Sequence, residues 1–447
     1  MSRQKKNVRA AALEILEAVE KNQSYSNLLL NHSIEKNALK GPDIGLLTEL
    51  VYGTIQRKMT LDYYLDPFLK KKNKLDSWVL NLLRLSLYQI VYLDKIPERA
   101  AIYEAVELAK SIGHKGISGM VNGVLRSIQR EGLPSLDAIK NPIERISIET
   151  SHPLWLVKRW VDMFGEEKTR RMCEANLIAP VQSIRVNETK TTREDLLNRL
   201  KEEGYDVEES PLLSESIRSL KGNVAHSKAF KEGLCTIQDE SSMIVAYALN
   251  LEHGMQVMDS CAAPGGKTTH IAEKLDQSGK VVSLDLHEHK VKLILQNAER
   301  LGLSNIEGIT SDSRKAGEKF KEESFDRILV DAPCSGLGVL RRKPDIKYAK
   351  KEKDIESLQS IQHDILNAVA PLLKKGGVLV YSTCTVDQWE NENAVKRFLS
   401  ENKDFEPMEL SSIPEPLKPF ANGSQMQIFP QDFDGDGFFI ASLRKKS

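Results

Sequence analysis

The chain is poor in cysteine and in long hydrophobic runs, and each shortage excludes a class of protein. Five cysteines in 447 residues are too few for a disulfide framework. No two have the C-x-x-C spacing of a zinc site, so we expect no metal. No apolar run is long enough to span a bilayer, and the basic residues 1–6 lack the apolar stretch of a signal peptide. We therefore expect a cytoplasmic protein that makes no contact with membranes.

Net charge is also lacking, because 63 Lys and Arg residues balance 63 Asp and Glu residues. The charges are nevertheless unevenly spread. Residues 1–145 hold 22 basic against 16 acidic side chains, and Lys70–Lys74 is the most basic run in this part. Such a run is either a solvated loop or a patch that neutralises nucleic-acid phosphates, and charge alone leaves both interpretations open.

Hydrophobic periodicity divides the chain into three predicted domains. Residues 1–135 carry apolar residues at helical spacing in successive segments, which predicts an all-helical bundle. Residues 140–235 mix helical and strand patterns and predict a small α+β module. Residues 236–447 alternate strand and helix, which predicts a Rossmann-like α/β domain with a parallel sheet. Two strands near the C terminus leave no room for a helix between them and should form an antiparallel hairpin at one edge.

A glycine-rich turn separates a predicted strand, 256–259, from a predicted helix. Its members are Cys261, Ala262, Ala263, Pro264, Gly265, Gly266 and Lys267. A strand, a glycine-rich turn and a helix N-terminus together form a general site for nucleotides or anions. A Walker A loop would need glycine at position 261, and the dinucleotide pattern G-x-G-x-x-G is absent. The turn therefore favours a different compact ligand that the backbone approaches closely.

Three aspartates follow successive predicted strands, namely Asp285, Asp312 and Asp331. The C-terminal ends of neighbouring parallel strands form one crevice, so these carboxylates should converge there. Asp285 is placed to accept both hydroxyls of a ribose, and Asp312 is placed to face an adenine edge. This arrangement suits S-adenosylmethionine, which has a ribose and an adenine but no phosphate. The alternative is that each aspartate only caps the helix that follows it.

Two of the five cysteines, Cys334 and Cys384, end predicted strands that should lie side by side. A cysteine in a soluble protein is usually a small buried apolar residue, and we expect this of Cys173 and Cys235. Thiols at strand ends that border a ligand crevice are instead placed for chemistry. Both Cys334 and Cys384 are therefore candidate catalytic residues.

Two thiols beside a cofactor site suit the transfer of a methyl group to carbon. Carbon 5 of a pyrimidine is a poor nucleophile, but a thiolate that adds to carbon 6 makes carbon 5 reactive towards a sulfonium methyl group. The carbon 5 proton must then leave before the thiol is eliminated. Asp331, three residues before Cys334, is placed to form a hydrogen bond with the ring edge.

These motifs resemble the RNA cytosine-C5 methyltransferases of the Sun/Nop2 type, over residues 238–447. The matching segments are 261–267, 331–336, 382–385 and 436–439. The resemblance implies that Cys384 is the attacking nucleophile and that Cys334 assists release of the product. It also implies that the turn 261–267 and the three aspartates bind S-adenosylmethionine.

The first 135 residues resemble the NusB family of helical RNA-binding bundles. The matching segments are 25–27, 50–54 and 121–126. Such a bundle fused to this type of catalytic domain implies a target cytosine in 16S ribosomal RNA, with no DNA partner, and we expect a monomer. Two alternatives stay open: a transfer-RNA cytosine-C5 methyltransferase, and a non-catalytic RNA-binding or antitermination factor.

Overall fold

The computed structural model describes residues 7–22, 26–69 and 75–447. The chain divides into two compact units. The first comprises Met1–Ile178 and Leu340–Lys350, and the second comprises Ala179–Val339 and Lys351–Ser447. The domain limits drawn from the sequence remain predictions. Within the described ranges, no helix combines the length and the apolar character that crossing a lipid bilayer demands.

The first unit is helical. Its helices are α1 (Val8–Asn22), α2 (Ser26–Lys36), α3 (Pro42–Gln56), α4 (Lys58–Leu65), α5 (Ser77–Tyr92), α6 (Glu98–Ile112), α7 (Lys115–Glu131), α8 (Pro142–Glu149), α9 (Leu154–Phe164) and α10 (Glu166–Ala175), with α16 (Ile346–Ala349) from the later segment. As its sequence predicts, α5 is apolar around most of its circumference and is largely buried. The predicted helical bundle is confirmed, whereas the basic run Lys70–Lys74 lies outside the described residues.

A four-stranded antiparallel sheet opens the second unit. Its strands are β1 (Gln182–Val186), β2 (Asp206–Glu209), β3 (Ser216–Lys221) and β4 (Cys235–Ile237), in the order β2-β3-β1-β4. Two helices, α11 (Arg193–Glu202) and α12 (Lys228–Lys231), contribute to the same small core, which includes Ile184, Leu196 and Ala229. The predicted α+β module is confirmed, and the strand order is new information.

The remaining strands form one large mixed sheet. They are β5 (Gln256–Asp259), β6 (Lys280–Asp285), β7 (Ile306–Thr310), β8 (Phe325–Asp331), β9 (Leu373–Thr383), β10 (Phe405–Pro407), β11 (Ala421–Asn422), β12 (Gln425–Ile428) and β13 (Phe438–Lys445). The order is β11-β12-β13-β9-β8-β5-β6-β7, and β10 pairs with β13. The helices of this part are α13 (Glu240–Ala248), α14 (Gly266–Lys274), α15 (Glu288–Leu301), α17 (Glu352–Val369) and α18 (Glu392–Glu401).

The five strands β5 to β9 are parallel, so their carboxyl ends share one edge of the sheet. The end of β9 is buried on both faces, which explains the continuous apolar run at Val378–Tyr381. At that edge Asp331 of β8 lies opposite Ser382 of β9. The predicted C-terminal hairpin is confirmed, because β12 and β13 pair antiparallel. On its other side β13 pairs antiparallel with β9.

Candidate active site

The two candidate thiols lie side by side, beyond the ends of β8 and β9. Sγ of Cys334 is 3.3 Å from Sγ of Cys384, and both residues are partly exposed. The predicted juxtaposition is therefore confirmed. The hydrogen bond with Cys384, together with burial, raises the pKa of Cys334 well above its usual value. Cys334 thus keeps its proton at a pH at which an ordinary thiol begins to ionise, and it can donate S–H to Cys384.

Asp331 is held by two side chains at the same edge of the sheet. Lys267 donates from Nζ to Oδ2 over 2.6 Å, and Ser382 donates from Oγ to Oδ1 over 2.8 Å. Lys267 also lies 5.0 Å from the ring centroid of Phe438. Burial by itself would lower the pKa of Lys267, but the charge and hydrogen bond of Asp331 outweigh it and raise that pKa. The glycine turn and the strand end before Cys334 are therefore joined by a short ion pair.

The glycine-rich turn requires glycine at one position. Gly265 has φ of 104°, in the left-handed region, and its N–H donates to the carbonyl of Ala262 over 2.8 Å. A Cβ placed there would also lie 3.2 Å from Cα of Ile294. The N–H of Ala262 in turn donates to the carbonyl of Leu284 over 2.9 Å, which ties the turn to β6. The backbone is thus fixed in a tight turn with α14 beginning at Gly266.

Asp259, the last residue of β5, is a site residue that the sequence did not single out. Its side chain is buried, and Thr268 donates from Oγ1 to its Oδ2 over 2.7 Å. Burial raises the pKa of Asp259 to about 7. Its Oδ1 is buried without a hydrogen-bond partner. The signal was available, since Asp259 occupies the same strand-end position as Asp285 and Asp331.

Asp285 and Asp312 follow β6 and β7, and both make local hydrogen bonds. Asp285 accepts from the N–H of His287 over 3.0 Å. Asp312 accepts from the N–H of Arg314 over 3.0 Å and forms a 2.7 Å ion pair with the same residue. The helix-capping alternative is thus partly true of Asp312, which caps a short 3₁₀ helix. Local capping leaves a carboxylate able to accept further hydrogen bonds.

Cys261 lies among these carboxylates. Burial raises the pKa of its thiol, and the negative charges of Asp259, Asp331 and Asp285 raise it further. Cys261 packs against an apolar core of the large sheet. It is therefore a protonated packing residue with three carboxyl groups close to it.

Residues 436–439, the last of the four matching segments, lie against the turns that contain Cys334 and Cys384. The N–H of Gly338 donates to the carbonyl of Cys384 over 3.0 Å, and the N–H of Gly437 donates to the carbonyl of Gly338 over 2.8 Å. A Cβ at Gly437 would lie 2.9 Å from Cα of Gly338. Close backbone approach therefore explains the glycine of this motif.

The remaining cysteines match their prediction. Cys173 and Cys235 have no exposed surface, and burial raises the pKa of each thiol to about 12. Among residues 7–22, 26–69 and 75–447, no group of three or more His, Cys, Asp or Glu side chains is placed to hold a metal ion.

Sequence reasoning also missed two buried residues that bond to the cysteine turns, Glu390 and Asn391. They stand six and seven positions after Cys384, in a polar segment with the composition of a surface loop. Only their burial in the folded chain distinguishes them from ordinary loop residues.

Three family models match the chain. The model described as 16S rRNA methyltransferase RsmB/F matches residues 246–444, and the NusB family matches residues 6–130. A ferredoxin-like domain of the RsmF/B-like methyltransferases matches residues 152–225. The helical bundle is therefore NusB-like and the small antiparallel module is ferredoxin-like.

Individual relatives and solved structures agree with these models. The crystal structure of PH0851 covers 100% of both chains with a TM-score of 0.83 and 26% identity. That of NSun6 from Pyrococcus horikoshii with SFG covers 65% of this chain and 97% of its own, with a TM-score of 0.58 and 26% identity. Ribosomal RNA small subunit methyltransferase B of Salmonella typhi is 35% identical over 98% of this chain and 99% of its own. The probable ribosomal RNA small subunit methyltransferase B of Bacillus subtilis is 56% identical over 99% of both chains, and the chain described here belongs to this RsmB-type family.

Proposed function

We propose that the protein methylates carbon 5 of a cytosine in 16S ribosomal RNA, with S-adenosylmethionine as the methyl donor. The observation that carries this proposal is the pair of thiols 3.3 Å apart beside Asp331. The ribosomal substrate is inferred from the names of the relatives, which describe methyltransferases of small-subunit RNA.

The carboxyl groups around Cys261 fit S-adenosylmethionine better than they fit a nucleoside phosphate. Asp259, Asp285 and Asp331 surround Cys261 closely enough to raise its pKa, and such carboxylates repel phosphate groups. The unsatisfied Oδ1 of Asp259 is an acceptor of the kind that an ammonium group satisfies. The residues that would hold the cofactor are Cys261, Ala262, Ala263, Pro264, Gly265, Gly266, Lys267, Asp285, Asp312 and Asp331. When bound, it supplies an electrophilic methyl group.

The chemistry begins with Cys384. Its thiolate bonds to carbon 6 of the cytosine, and the electron pair of the former double bond becomes available at carbon 5, which takes the methyl group. Asp331, fixed by Lys267 and Ser382, is the group that contacts the ring edge. The cytosine must leave its stack to reach Cys384, so the RNA is bound as a loop or an opened helix.

Release of the product breaks the bond between Sγ of Cys384 and carbon 6 of the cytosine. The carbon 5 proton passes to water, its electron pair restores the ring double bond, and the carbon–sulfur pair returns to Sγ of Cys384. Cys334, which keeps its proton, donates S–H to this departing sulfur and so stabilises the leaving thiolate.

Substitutions of the two cysteines should therefore impair different steps of the reaction. Cys384→Ala should transfer no methyl group and form no adduct, because the nucleophile is gone. Cys334→Ala should turn over about 100-fold more slowly or worse and should accumulate a covalent protein–RNA complex, because elimination is impaired. Radiolabelled methyl transfer to unmodified 16S RNA and denaturing gels of the protein check both outcomes. Equal, adduct-free behaviour of the two variants would overturn the assignment.

The substrate class is tested separately in cells. Deleting the gene should remove a 5-methylcytosine from 16S ribosomal RNA and leave transfer RNA unchanged, as mapped by bisulfite sequencing. Loss of methylcytosine from transfer RNA alone would favour the transfer-RNA alternative. An unchanged map of both RNAs would favour a non-catalytic RNA-binding factor.

A further inference from the structure

A buried polar network joins the two cysteine turns. Ser335 directly follows Cys334 and Thr385 directly follows Cys384, and their side-chain oxygens are 2.9 Å apart. Ser335 is 1% exposed and Thr385 is fully buried, so solvent does not compete for this hydrogen bond. The relative position of the two turns is therefore set by side chains that are not themselves cysteines.

Glu390 anchors the Cys334 turn. Its Oε2 accepts from the N–H of Ser335 over 2.8 Å, and its Oε1 accepts from the hydroxyl of Ser335 over 2.5 Å. Gln362 donates from Nε2 both to Oε2 of Glu390 and to the carbonyl of Pro333, each over 3.0 Å. The residues on both sides of Cys334 are thus bound by one carboxylate and its partner amide.

Asn391 anchors the Cys384 turn in the same manner. Thr383 donates from Oγ1 to Oδ1 of Asn391 over 2.5 Å, and Nδ2 of Asn391 donates to the carbonyl of Thr385 over 2.9 Å. The residues on both sides of Cys384 are again bound by one side chain. Asn391 has no exposed surface, so these bonds are fully protected from water.

The position of these two side chains is itself fixed. Tyr381, buried in β9, donates its hydroxyl to the carbonyl of Glu390 over 2.6 Å. Glu390 is fully buried although Ser335 and Gln362, the donors that bind its carboxylate, are uncharged. Burying a carboxylate with uncharged donors costs free energy, which points to a role other than stability. Burial raises the pKa of Glu390, and the charge of Glu390 contributes to the raised pKa of Cys334.

We propose that Glu390 and Asn391 are positioning residues with separate duties in the two halves of the reaction. Asn391 holds Cys384 for attack on carbon 6, and Glu390 holds Cys334 with its S–H directed at the departing sulfur during release. The inference rests on the proposed function, because it assigns each residue to a step of that reaction. Neither side chain touches the RNA or the cofactor in this scheme.

The two residues should therefore give opposite signatures. Glu390→Gln and Glu390→Ala should slow turnover by about 100-fold and accumulate a covalent protein–RNA complex, because a misplacement of about 1 Å has effects of that size. Asn391→Ala should slow turnover by a similar factor without accumulating the complex, because formation of the adduct then becomes slower than its breakdown. The measurements are the trapped fraction on denaturing gels and multiple-turnover rates, with unmodified 16S RNA transcript and labelled S-adenosylmethionine.

Controls separate positioning from simple loss of structure. Glu401→Gln, at the other end of α18 and partly exposed, should behave as the unsubstituted protein in both measurements. If Glu390→Ala or Asn391→Ala fails to fold, milder variants replace them: Ser335→Ala removes the hydroxyl that bonds to Glu390 and to Thr385, and Thr383→Val removes one hydrogen bond to Asn391. Ser335→Ala should then behave as the Glu390 variants do, and Thr383→Val as Asn391→Ala does. If the Glu390 and Asn391 variants behave alike, whether both trap RNA or neither does, the assignment of the two residues to separate steps is wrong.

Failure of this inference is distinguishable from failure of the proposed function. Cys334→Ala and Cys384→Ala are measured alongside on the same RNA. If Cys334→Ala traps no RNA, the mechanism assigned to the two cysteines in the proposed function fails. If Cys334→Ala traps RNA but the folded Glu390 variants do not, only the positioning role of Glu390 is wrong.

Discussion

At the scale of single residues, the site depends on the distribution of protons among side chains that are close together. Cys334 keeps its proton because it is hydrogen-bonded to Cys384 and because its thiol is buried. Asp259 has its pKa raised to about 7 by burial, whereas Lys267 stays charged beside Asp331. The neighbours that raise the pKa of Cys334 and of Lys267 are distant in sequence, namely Cys384 and Asp331.

The coupling of the two thiols predicts their alkylation behaviour. In Cys384→Ala the hydrogen bond and charge that raise the pKa of Cys334 are gone, so its pKa should fall. A larger thiolate fraction should then react with iodoacetamide at a given pH. Mass spectrometry of Cys334 labelling across pH 7 to 10 should show a lower midpoint in Cys384→Ala than in the unsubstituted protein. Cys384→Ser controls for side-chain volume, and an unchanged midpoint in Cys384→Ala would contradict the coupling.

At the scale of elements, strand β1 of the ferredoxin-like module supports helix α14, which follows the glycine turn. Arg185 of β1 is fully buried and donates from Nη1 to the carbonyl of Gly266 over 2.8 Å. It also donates from Nη2 to Oγ1 of Thr269 over 3.0 Å and forms a 2.8 Å ion pair with Glu273. The first turn of α14 is thus held by a residue 81 positions earlier than Gly266.

Breaking this buried ion pair should affect both stability and the cofactor site. Arg185→Met should lower the free energy of unfolding by about 3 kcal/mol or more, because Glu273 is left buried and unpaired. It should also raise the KM for S-adenosylmethionine, because the carbonyl of Gly266 loses its charged donor and keeps only the hydroxyl of Thr269. Urea denaturation and initial rates measure the two effects.

The double variant Arg185→Met with Glu273→Met separates these effects. Removing both charges should restore most of the stability, since no unpaired carboxylate remains. The KM should stay raised, because the carbonyl of Gly266 still lacks its charged donor. Recovery of the KM together with the stability would show that Arg185 acts on folding alone.

At the scale of the whole molecule, the first unit is completed by a segment from the middle of the second. Leu340–Lys350 belongs to the helical unit, although residues on both sides of it belong to the other. Lys347 in this segment is fully buried and donates from Nζ to the carbonyl and to Oε1 of Gln56, over 2.8 and 2.7 Å. Nearby, the hydroxyl of Tyr348 lies 2.8 Å from Oγ of Ser151.

The buried Lys347 predicts a pH-dependent stability. Burial lowers its pKa well below that of an ordinary lysine, so the unfolded chain binds the extra proton between the lowered value and about 10.5. The free energy of unfolding should therefore rise with pH across this window, relative to Lys347→Met. Thermal unfolding of both proteins at pH 7, 8 and 9 checks the slope. Lys343→Met, an exposed lysine of the same segment, gives the baseline, and parallel curves for the unsubstituted protein and Lys347→Met would contradict the prediction.

Much of the fold could be read from periodicity. The strand 256–259 was predicted with the bounds that the structure has. The short helix α18 was missed, because Glu392–Glu401 has a low mean hydropathy and follows a polar loop. The order of the small sheet was also beyond the sequence, since antiparallel pairing of short strands depends on which apolar faces meet.

The residues of the candidate site also fall into two groups, those that the sequence revealed and those that only the structure revealed. The glycine turn, the two cysteines and the strand-end aspartates are local patterns, so they were visible as spacing and residue type. Glu390 and Asn391 carry no such pattern, because a buried carboxylate and an exposed one look alike in a sequence. Their importance comes from burial and, for Glu390, from hydrogen bonds to Ser335, which lies 55 residues earlier in the chain.

The amino-acid sequence by itself determined the class of each domain and the chemical groups of the candidate site, because short-range periodicity and motif spacing depend only on neighbouring residues. Only the tertiary structure decided that the two sulfur atoms lie 3.3 Å apart, that Arg185 supports the glycine turn and that Leu340–Lys350 completes the helical unit. The physical reason is that such pairings are selected by packing and by the exclusion of water, which act between residues far apart in the chain.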